Sequence, residues 1–234
     1  MSDLSRRHFL RWSSAGLAAV GAAGAGALVL RADAVPTPAD GALSKHRHIL
    51  DDPVPEHLRT ATLRPDDGPL KGWGVTESDQ LGPFYREGSP YRGKVTPPME
   101  PGSVLVVAGR VWGHGSRRPL PGAVLDVWQA DVRGRYEADG GAIRLRARIL
   151  TDEAGAFEYE TVYPGHYDGR PAHVHHIVRA PGHETLVTQL YFEGDANNAN
   201  ERLPDQLVVA LDEVRGAGGV YRRGVFDVVL APAA

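Results

Sequence analysis

From Ser103 onward the chain consists of short runs rich in apolar and β-branched residues, each bounded by turn signals. This regular alternation of runs and turns is typical of an all-β fold in which each run forms one strand of an antiparallel β-sandwich. In Ala156–Glu160 the aromatic residues alternate with polar ones, so that strand should have one buried and one wet face. The predicted strands are Ser103–Trp112, Ala123–Gln129, Ile143–Ile149, Ala156–Val162, Ala172–Ala180, Leu186–Phe192, Gln206–Leu211 and Tyr221–Leu230.

The first 34 residues have the features of an export signal. An arginine pair lies within Ser5–Arg11, an Ala/Gly-rich apolar run extends from Trp12 to Leu30, and Ala32–Ala34 supplies small residues for cleavage. This pattern predicts a twin-arginine signal peptide over 1–34 and export to the periplasm or the extracellular medium. The alternative is a retained membrane anchor, since the run has spanning length. Its many Ala and Gly residues favour cleavage, with no stable membrane insertion afterwards.

Removing this signal leaves about 200 residues, which is enough for one domain with a sizeable core. Residues 35–80 are rich in proline and charge, and we interpret them as an N-terminal arm in which only His48–Arg59 could form a short helix. Residues 81–234 then form the sandwich domain. The arm could also clasp a second copy of the chain in a homo-oligomer.

The composition excludes several kinds of chemical site and partner. The chain has no cysteine, which excludes disulfides, thiolate zinc sites and cysteine nucleophiles. The formal net charge is -3, and beyond residue 35 the basic residues are scattered singly. Because there is no basic stripe, we expect no nucleic-acid partner and predict a small-molecule substrate.

The stretch Tyr163–His175 concentrates metal-binding side chains. On a strand over 171–180, His173 and His175 project from one face and His176 from the other. Two turns separate Tyr167 from His173, so the phenol can fold back over the same face. Imidazole suits zinc, copper, iron or nickel, and a hard phenolate favours a trivalent ion, so ferric iron fits best.

A second segment, Trp128–Tyr136, runs from the end of a strand into a glycine-containing loop that presents Tyr136. Together the motifs Trp-Gln-Ala, Gly-Arg-Tyr, Pro-Gly-x-Tyr, Arg-Pro-Ala-His-x-His and Thr-Gln-Leu-Tyr-Phe resemble, in the same order, those of the intradiol ring-cleavage dioxygenases. The likeness extends from Gly82 to Asp195.

This resemblance implies the intradiol dioxygenase type of β-sandwich, a ferric ion, and a catechol and O2 as substrates. It implies that Tyr136, Tyr167, His173 and His175 are the iron ligands, with Tyr167 displaced when substrate binds. Arg170 matches the family's active-site arginine, and Gln189 matches a polar residue that lines the pocket. The connection from Tyr167 to His173 is shorter than in the catechol and protocatechuate enzymes, so the pocket wall should differ.

Two other functions stay open at this point. A transthyretin-like or carbohydrate-binding module has the same strand texture without catalysis, but it has no need for the four candidate ligands together. A zinc-dependent hydrolase could use the two histidines, but the sequence places no Glu or Asp base near them. His166 and His176 are expected to be structural rather than ligands. Arg86, Arg133 and Arg135 are candidates for binding an acidic ring substituent.

Overall fold

The computed structural model describes residues 73–137, 143–216 and 219–234. The predicted signal peptide 1–34, the helix candidate His48–Arg59 and the rest of the arm up to residue 72 lie outside the described residues. Within the described ranges, no helix is long and apolar enough to cross a bilayer.

The described chain is built from β-strands, as predicted, with two short 3-10 turns at Asn198–Asn200 and Asp205–Leu207. The strands form two sheets, one with six strands and one with five, that pack as a sandwich. Their bounds are β1 Val104–Gly113, β2 Arg118–Pro119, β3 Val124–Gln129, β4 Arg146–Leu150, β5 Ala156–Val162, β6 His173–Arg179, β7 Leu186–Phe192, β8 Val208–Val209, β9 Leu211–Gly216, β10 Gly219–Val225 and β11 Val228–Leu230.

The five-stranded sheet has the order β4-β3-β6-β7-β8. In the six-stranded sheet, β5 pairs along its whole length with Val104–Arg110 of β1, and β10 and β11 pair with the other edge of β1. The predicted antiparallel pairing holds for most neighbours, whereas β1–β10, β1–β11 and β7–β8 are parallel. These parallel pairs join segments distant in the chain, and local turn signals carry no information about them.

The C-terminal runs correct two predicted strands. Gln206–Leu211 is divided between a 3-10 turn, β8 and the start of β9. Tyr221–Leu230 was expected to be continuous, but it forms β10 and β11 with a break at Phe226 and Asp227. At the break the Asp227 carboxylate accepts a hydrogen bond of 2.6 Å from the Arg110 backbone N–H. A side chain thus replaces one backbone acceptor of the ladder, and the strand is interrupted.

Strand alternation separates the core from the outer face of the five-stranded sheet. On β6, Val174, His176 and Val178 point into the core, and His176 bonds across it to the Tyr159 hydroxyl at 2.9 Å. His173 and His175 therefore lie on the outer face. Other core residues come from both sheets: Leu105, Val107, Val111, Leu125, Val127, Phe157, Leu190 and Phe226.

The described end of the predicted arm is hydrogen-bonded to both sheets. The Thr76 N–H donates to Val229 at 3.0 Å and the Asp79 N–H donates to Val187 at 2.9 Å. The Thr188 hydroxyl donates to the carbonyl of Glu77 at 2.8 Å. The segment just before residue 81 thus covers an edge of the sandwich and lies beside β7.

Candidate metal centre

The centre is built on the outer face of β6. His175 lies between Trp128 on β3 and Gln189 on β7, and His173 lies opposite Tyr191 on β7. Residues paired directly across antiparallel strands share a face, so these five side chains form one polar and aromatic patch. The two histidine rings are 4.8 Å apart and nearly perpendicular, and both are almost fully buried.

Two loops bring tyrosines over this patch, and glycines allow the loops to touch. Gly134 has a φ of +72°, and an added Cβ would lie 1.8 Å from the carbonyl oxygen of His166. Across the contact, a Cβ on Gly165 would lie 2.4 Å from the carbonyl oxygen of Val132. Only residues without a side chain permit this backbone contact. It places the rings of Tyr136 and Tyr167 5.4 Å apart, edge to face.

Three donor atoms converge on one point. Tyr136 Oη lies 3.0 Å from His173 Nε2 and 3.0 Å from His175 Nε2. Tyr167 borders this point, half-buried, and its hydroxyl makes no hydrogen bond with the described residues. The structure therefore brings together all four residues predicted as ligands.

Burial keeps both imidazoles neutral, and a hydrogen bond fixes the tautomer of His173. The ring of His173 places Nδ1 2.6 Å from the carbonyl oxygen of Pro171, which can only accept, so Nδ1 carries the proton and Nε2 presents a lone pair. His175 stacks on Trp128 with ring centroids 4.7 Å apart. Burial is the main reason that the pKa of His173 is lowered and that of His175 lies well below its usual value. Both rings are therefore neutral.

The hydrogen bonds at this point do not balance in the protein alone. Tyr136 has one proton to donate but faces two imidazole nitrogens. If both Nε2 atoms are acceptors, the Tyr136 proton can satisfy only one of them, and in the other contact a lone pair of the oxygen faces a lone pair of the nitrogen. If His175 Nε2 carries a proton instead, its buried Nδ1 is left as an acceptor without a partner of normal geometry among the described residues, although the nearby backbone of Gln80 slightly raises its pKa.

A cation at the convergence point would satisfy all three atoms at once. The described residues contain no group of three His, Cys, Asp or Glu side chains that could hold a metal, so the phenols are needed to complete the set. Burial raises the pKa of Tyr136, partly opposed by the charges of Arg170 and Arg146. A hard trivalent cation would favour the phenolate instead, so the donor set fits ferric iron.

Phe84 holds the two tyrosines in place. It stacks on Tyr136 with centroids 4.2 Å apart and meets Tyr167 edge-on at 5.1 Å. It comes from the segment after the predicted arm, within the part of the chain that carries the family likeness. The sequence gives no sign of its contact with both tyrosines, since a single phenylalanine has no chemical signature of its own.

Arg170 lies next to the donor cluster and is firmly bound. Its Nε and Nη2 donate to the two carboxylate oxygens of Glu201 at 2.6 and 2.8 Å, and Nη2 also donates to Tyr191 Oη at 3.0 Å. Among the charged groups, Arg170 has the largest lowering effect on the pKa of Tyr136. A guanidinium this close to the ligands can stabilise negative charge that forms there.

Gln189 lies beneath the centre and is fully buried. Its Nε2 donates to the carbonyl of Gln80 at 2.6 Å, and its Oε1 lies 2.9 Å from the Tyr191 hydroxyl, whose single proton also faces the Asp79 carboxylate at 2.8 Å. Both ends of the amide are thus occupied, so Gln189 does not line an open surface here. A direct part for it in catalysis stays a prediction.

The structural histidines and the candidate arginines have other partners. His176 is in the core, and His166 contacts the Asp195 carboxylate at 2.9 Å. The Asp131 carboxylate accepts from the backbone N–H groups of Arg133 and Arg135 and pairs with the Arg135 side chain. These last two arginines are therefore anchored to their own loop. Arg86 lies 3.8 Å from Glu137.

The sequence of this chain is similar to those of known dioxygenases. A family model described as dioxygenase matches residues 81–169 and 165–232. The chain is 33% identical to 6-chlorohydroxyquinol 1,2-dioxygenase of Cupriavidus pinatubonensis, over 68% of this chain and 66% of that protein. It is 31% identical to chlorocatechol 1,2-dioxygenase of Rhodococcus opacus, over 66% of this chain and 72% of that protein. The chain thus spans about two thirds of the length of these relatives.

Solved structures of similar fold include the dioxygenase domain of a dioxygenase carbohydrate-binding protein fusion from Streptomyces sp. SirexAA-E. That domain has a TM-score of 0.62 and 36% identity, and the match covers 68% of this chain and all of that one. The 3-chlorocatechol 1,2-dioxygenase of Rhodococcus opacus 1CP has a TM-score of 0.63 and 27% identity, over 68% of this chain and 73% of that one.

Proposed function

Because this chain belongs to the intradiol ring-cleavage dioxygenases, we propose that it is an iron(III) enzyme that opens a catechol ring between the two hydroxylated carbons with O2. The product would be a cis,cis-muconate-type diacid. The observation that carries the proposal is the convergence of Tyr136 Oη on both histidine Nε2 atoms at 3.0 Å, with Tyr167 alongside.

Tyr136, Tyr167, His173 and His175 would hold the iron. When bound, the ferric ion would supply Lewis-acid activation of the catechol toward O2 and a template for both substrates. The surrounding residues decide which of the four ligands can move away from the metal. His173 is fixed by Pro171, and Tyr136 is packed against Phe84, so neither can leave without disturbing its neighbours.

Tyr167 is the ligand that can move. Its ring is half-buried, and its hydroxyl makes no hydrogen bond with the described residues that would have to be broken. A catechol must lose two protons when it chelates, and Tyr167 Oη is the protein atom best placed to accept one of them. This division of roles agrees with the family resemblance, in which the second tyrosine is displaced.

Arg170 would stabilise negative charge that grows on the substrate. Its guanidinium stays protonated at any working pH, because the ion pair with Glu201 raises the arginine pKa further, with burial opposing. The Nη1 edge makes no hydrogen bond with the described residues, so it is available to a ligand. Fixed donors of this kind contribute to catalysis without reorganising during the reaction.

The substrate is proposed to be a single-ring catechol. The relatives compared above are named for chlorinated catechols and for a chlorinated hydroxyquinol. Since Asp131 pairs with the Arg135 guanidinium, Arg135 is not expected to bind an acidic ring substituent, whereas Arg133 is held by Asp131 only through its backbone N–H and stays a candidate.

The test combines metal analysis, colour and oxygen uptake on the purified protein. We expect iron as the bound metal, a red-brown colour from tyrosinate coordination, and oxygen uptake with catechols that yields a diacid. A panel of catechol, chlorocatechols, hydroxyquinol and protocatechuate then ranks the substrates. A colourless protein without activity would support a non-catalytic sandwich module, and bound zinc would support a hydrolase.

We also propose that the protein is exported by the twin-arginine route, on the strength of the Arg6-Arg7 pair and the apolar run that follows. Replacing both arginines by lysine should keep the protein in the cytoplasm if the proposal is right. Unchanged fractionation between cytoplasm and periplasm or medium would reject it. Sedimentation of the mature protein tests the homo-oligomer that the arm could form.

A further inference from the structure

The arginine next to the metal centre owes its position to one carboxylate. The segment Asn198–Glu201, after β7, brings Glu201 against Arg170, 31 residues away in the sequence. The two side chains meet fork to fork, with N–O distances of 2.6 and 2.8 Å. This bidentate geometry fixes the plane of the guanidinium as well as its position.

Further contacts hold the loop that carries Arg170. Asn197 Nδ2 donates to the Arg170 carbonyl at 3.2 Å, and Asn200 Nδ2 donates to the Gly169 carbonyl at 2.8 Å. At the start of the segment, Asp195 accepts from the Tyr163 hydroxyl at 3.1 Å. The segment 195–201 therefore contacts the loop that carries Arg170 from its first residue to its last, and its last residue binds the guanidinium.

The pairing leaves one edge of the arginine for the substrate. Glu201 and Tyr191 occupy Nε and Nη2, and Nη1 makes no hydrogen bond with the described residues. A guanidinium without the carboxylate could rotate about its long side chain and present any of its donors. Glu201 itself is mainly ionised, since the hydrogen bond from Arg170 lowers its pKa.

We propose that Glu201 is a positioning residue for the ring-cleavage reaction, which acts by fixing Arg170 so that the Nη1 edge faces the bound catechol. The inference rests on the proposed function and adds a residue to it. Glu201 touches neither substrate nor iron, so its effect passes entirely through Arg170. Misplacement of a catalytic group by about 1 Å can cost on the order of a hundredfold in rate.

The first test is kinetic and uses the complete iron-loaded protein. Glu201→Gln should lower kcat roughly tenfold or more, with a smaller change in KM, while iron content and the visible band stay as in the wild type. Glu201→Asp should recover part of the rate, because it keeps the carboxylate. Glu213→Gln is the matched control, since Glu213 is largely exposed and, within the described ranges, its carboxylate pairs with Arg215 alone.

The second test asks whether Glu201 acts through the arginine. In an Arg170→Lys background, Glu201→Gln should cause no further loss of kcat, because the bidentate pair between residues 170 and 201 is already lost. Equal losses in both backgrounds would overturn the inference, and so would an unchanged kcat in the single variant. Loss of iron in Glu201→Gln would also overturn it and would assign Glu201 to the scaffold of the ligands.

A third readout needs no activity. In iron-free, 15N-labelled protein, the Nε–H signal of Arg170 should exchange slowly with water and should shift in Glu201→Gln but not in Glu213→Gln. An unshifted signal would overturn the pairing itself. Wild-type protein that consumes no oxygen with any catechol would reject the proposed function, whereas the NMR comparison would still decide whether Glu201 fixes Arg170.

Discussion

The neighbouring histidines on β6 offer a sharp test of the site, because His175 faces the candidate metal centre and His176 faces the core. His176 is fully buried and bonds to Tyr159 across the sandwich at 2.9 Å. We expect His176→Ala to destabilise the fold without affecting iron binding. His175→Ala is the matched variant and should lose iron.

The magnitude follows from what each substitution leaves behind. Truncating a large buried side chain costs about 2–5 kcal/mol in the free energy of unfolding. The Tyr159 hydroxyl would also lose its partner, at about 1–3 kcal/mol. For His176→Ala we therefore expect a loss of about 3–8 kcal/mol, which is a large share of the roughly 5–15 kcal/mol typical of a domain.

A less disruptive variant tests the same contact if His176→Ala fails to fold. Tyr159→Phe keeps the ring and removes only the hydroxyl, so the free energy of unfolding should fall by about 1–3 kcal/mol. Urea unfolding of the iron-free proteins gives these values, and metal analysis of the folded proteins gives the iron content. If Tyr159→Phe or His176→Ala empties the site while His175→Ala retains iron, the assigned register of β6 is off by one and His175 is not a ligand.

Three further predictions concern the ligands, the arginine and the C-terminal strand break. Tyr136→Phe and Tyr167→Phe should both shift the visible band. Only Tyr167→Phe should still chelate catechol, as measured by anaerobic titration. An unchanged spectrum in Tyr167→Phe would mean that another residue supplies the phenolate. Arg170→Lys should lower oxygen uptake by about a hundredfold with iron retained, comparable to the loss of one fixed donor; near-normal turnover would make Arg170 structural. Burial raises the pKa of Asp227 to about 6, against an opposing effect of Arg110, so the folded state binds a proton more tightly than the unfolded state between about pH 4 and 6. Stability should fall by about 1–2 kcal/mol as pH rises through that window, since the carboxyl is only partly buried, and Asp227→Asn should remove this slope in urea unfolding.

Much of the fold follows from local patterns in the sequence. The runs before residue 200 became strands close to their predicted bounds, because alternation and turn residues act over a few positions. The same alternation placed His173 and His175 on one face and His176 on the other. The convergence of Tyr136 and Tyr167 with these histidines was expected from the resemblance, and the structure brings the four side chains together.

What the sequence could not predict depends on contacts between distant segments. Nothing near Arg170 indicates that Glu201 is its partner, and the adjacent Asp168 is the more obvious carboxylate by position. The strand break at Asp227 depends on the backbone of Arg110, more than a hundred residues earlier. Likewise, the burial of Gln189 beneath Tyr191 follows from the arm segment that covers β7.

The contact between the backbones at Gly134 and Gly165 has a consequence for how this centre can vary. One loop carries Tyr136 and the other carries Tyr167, and the two are joined where neither glycine tolerates a side chain. A change in length or path of one loop must be matched in the other, or the tyrosines lose their mutual distance. Grafting loops from a relative to alter selectivity should therefore succeed only when both are transplanted as a pair, and single-loop chimaeras should bind iron poorly.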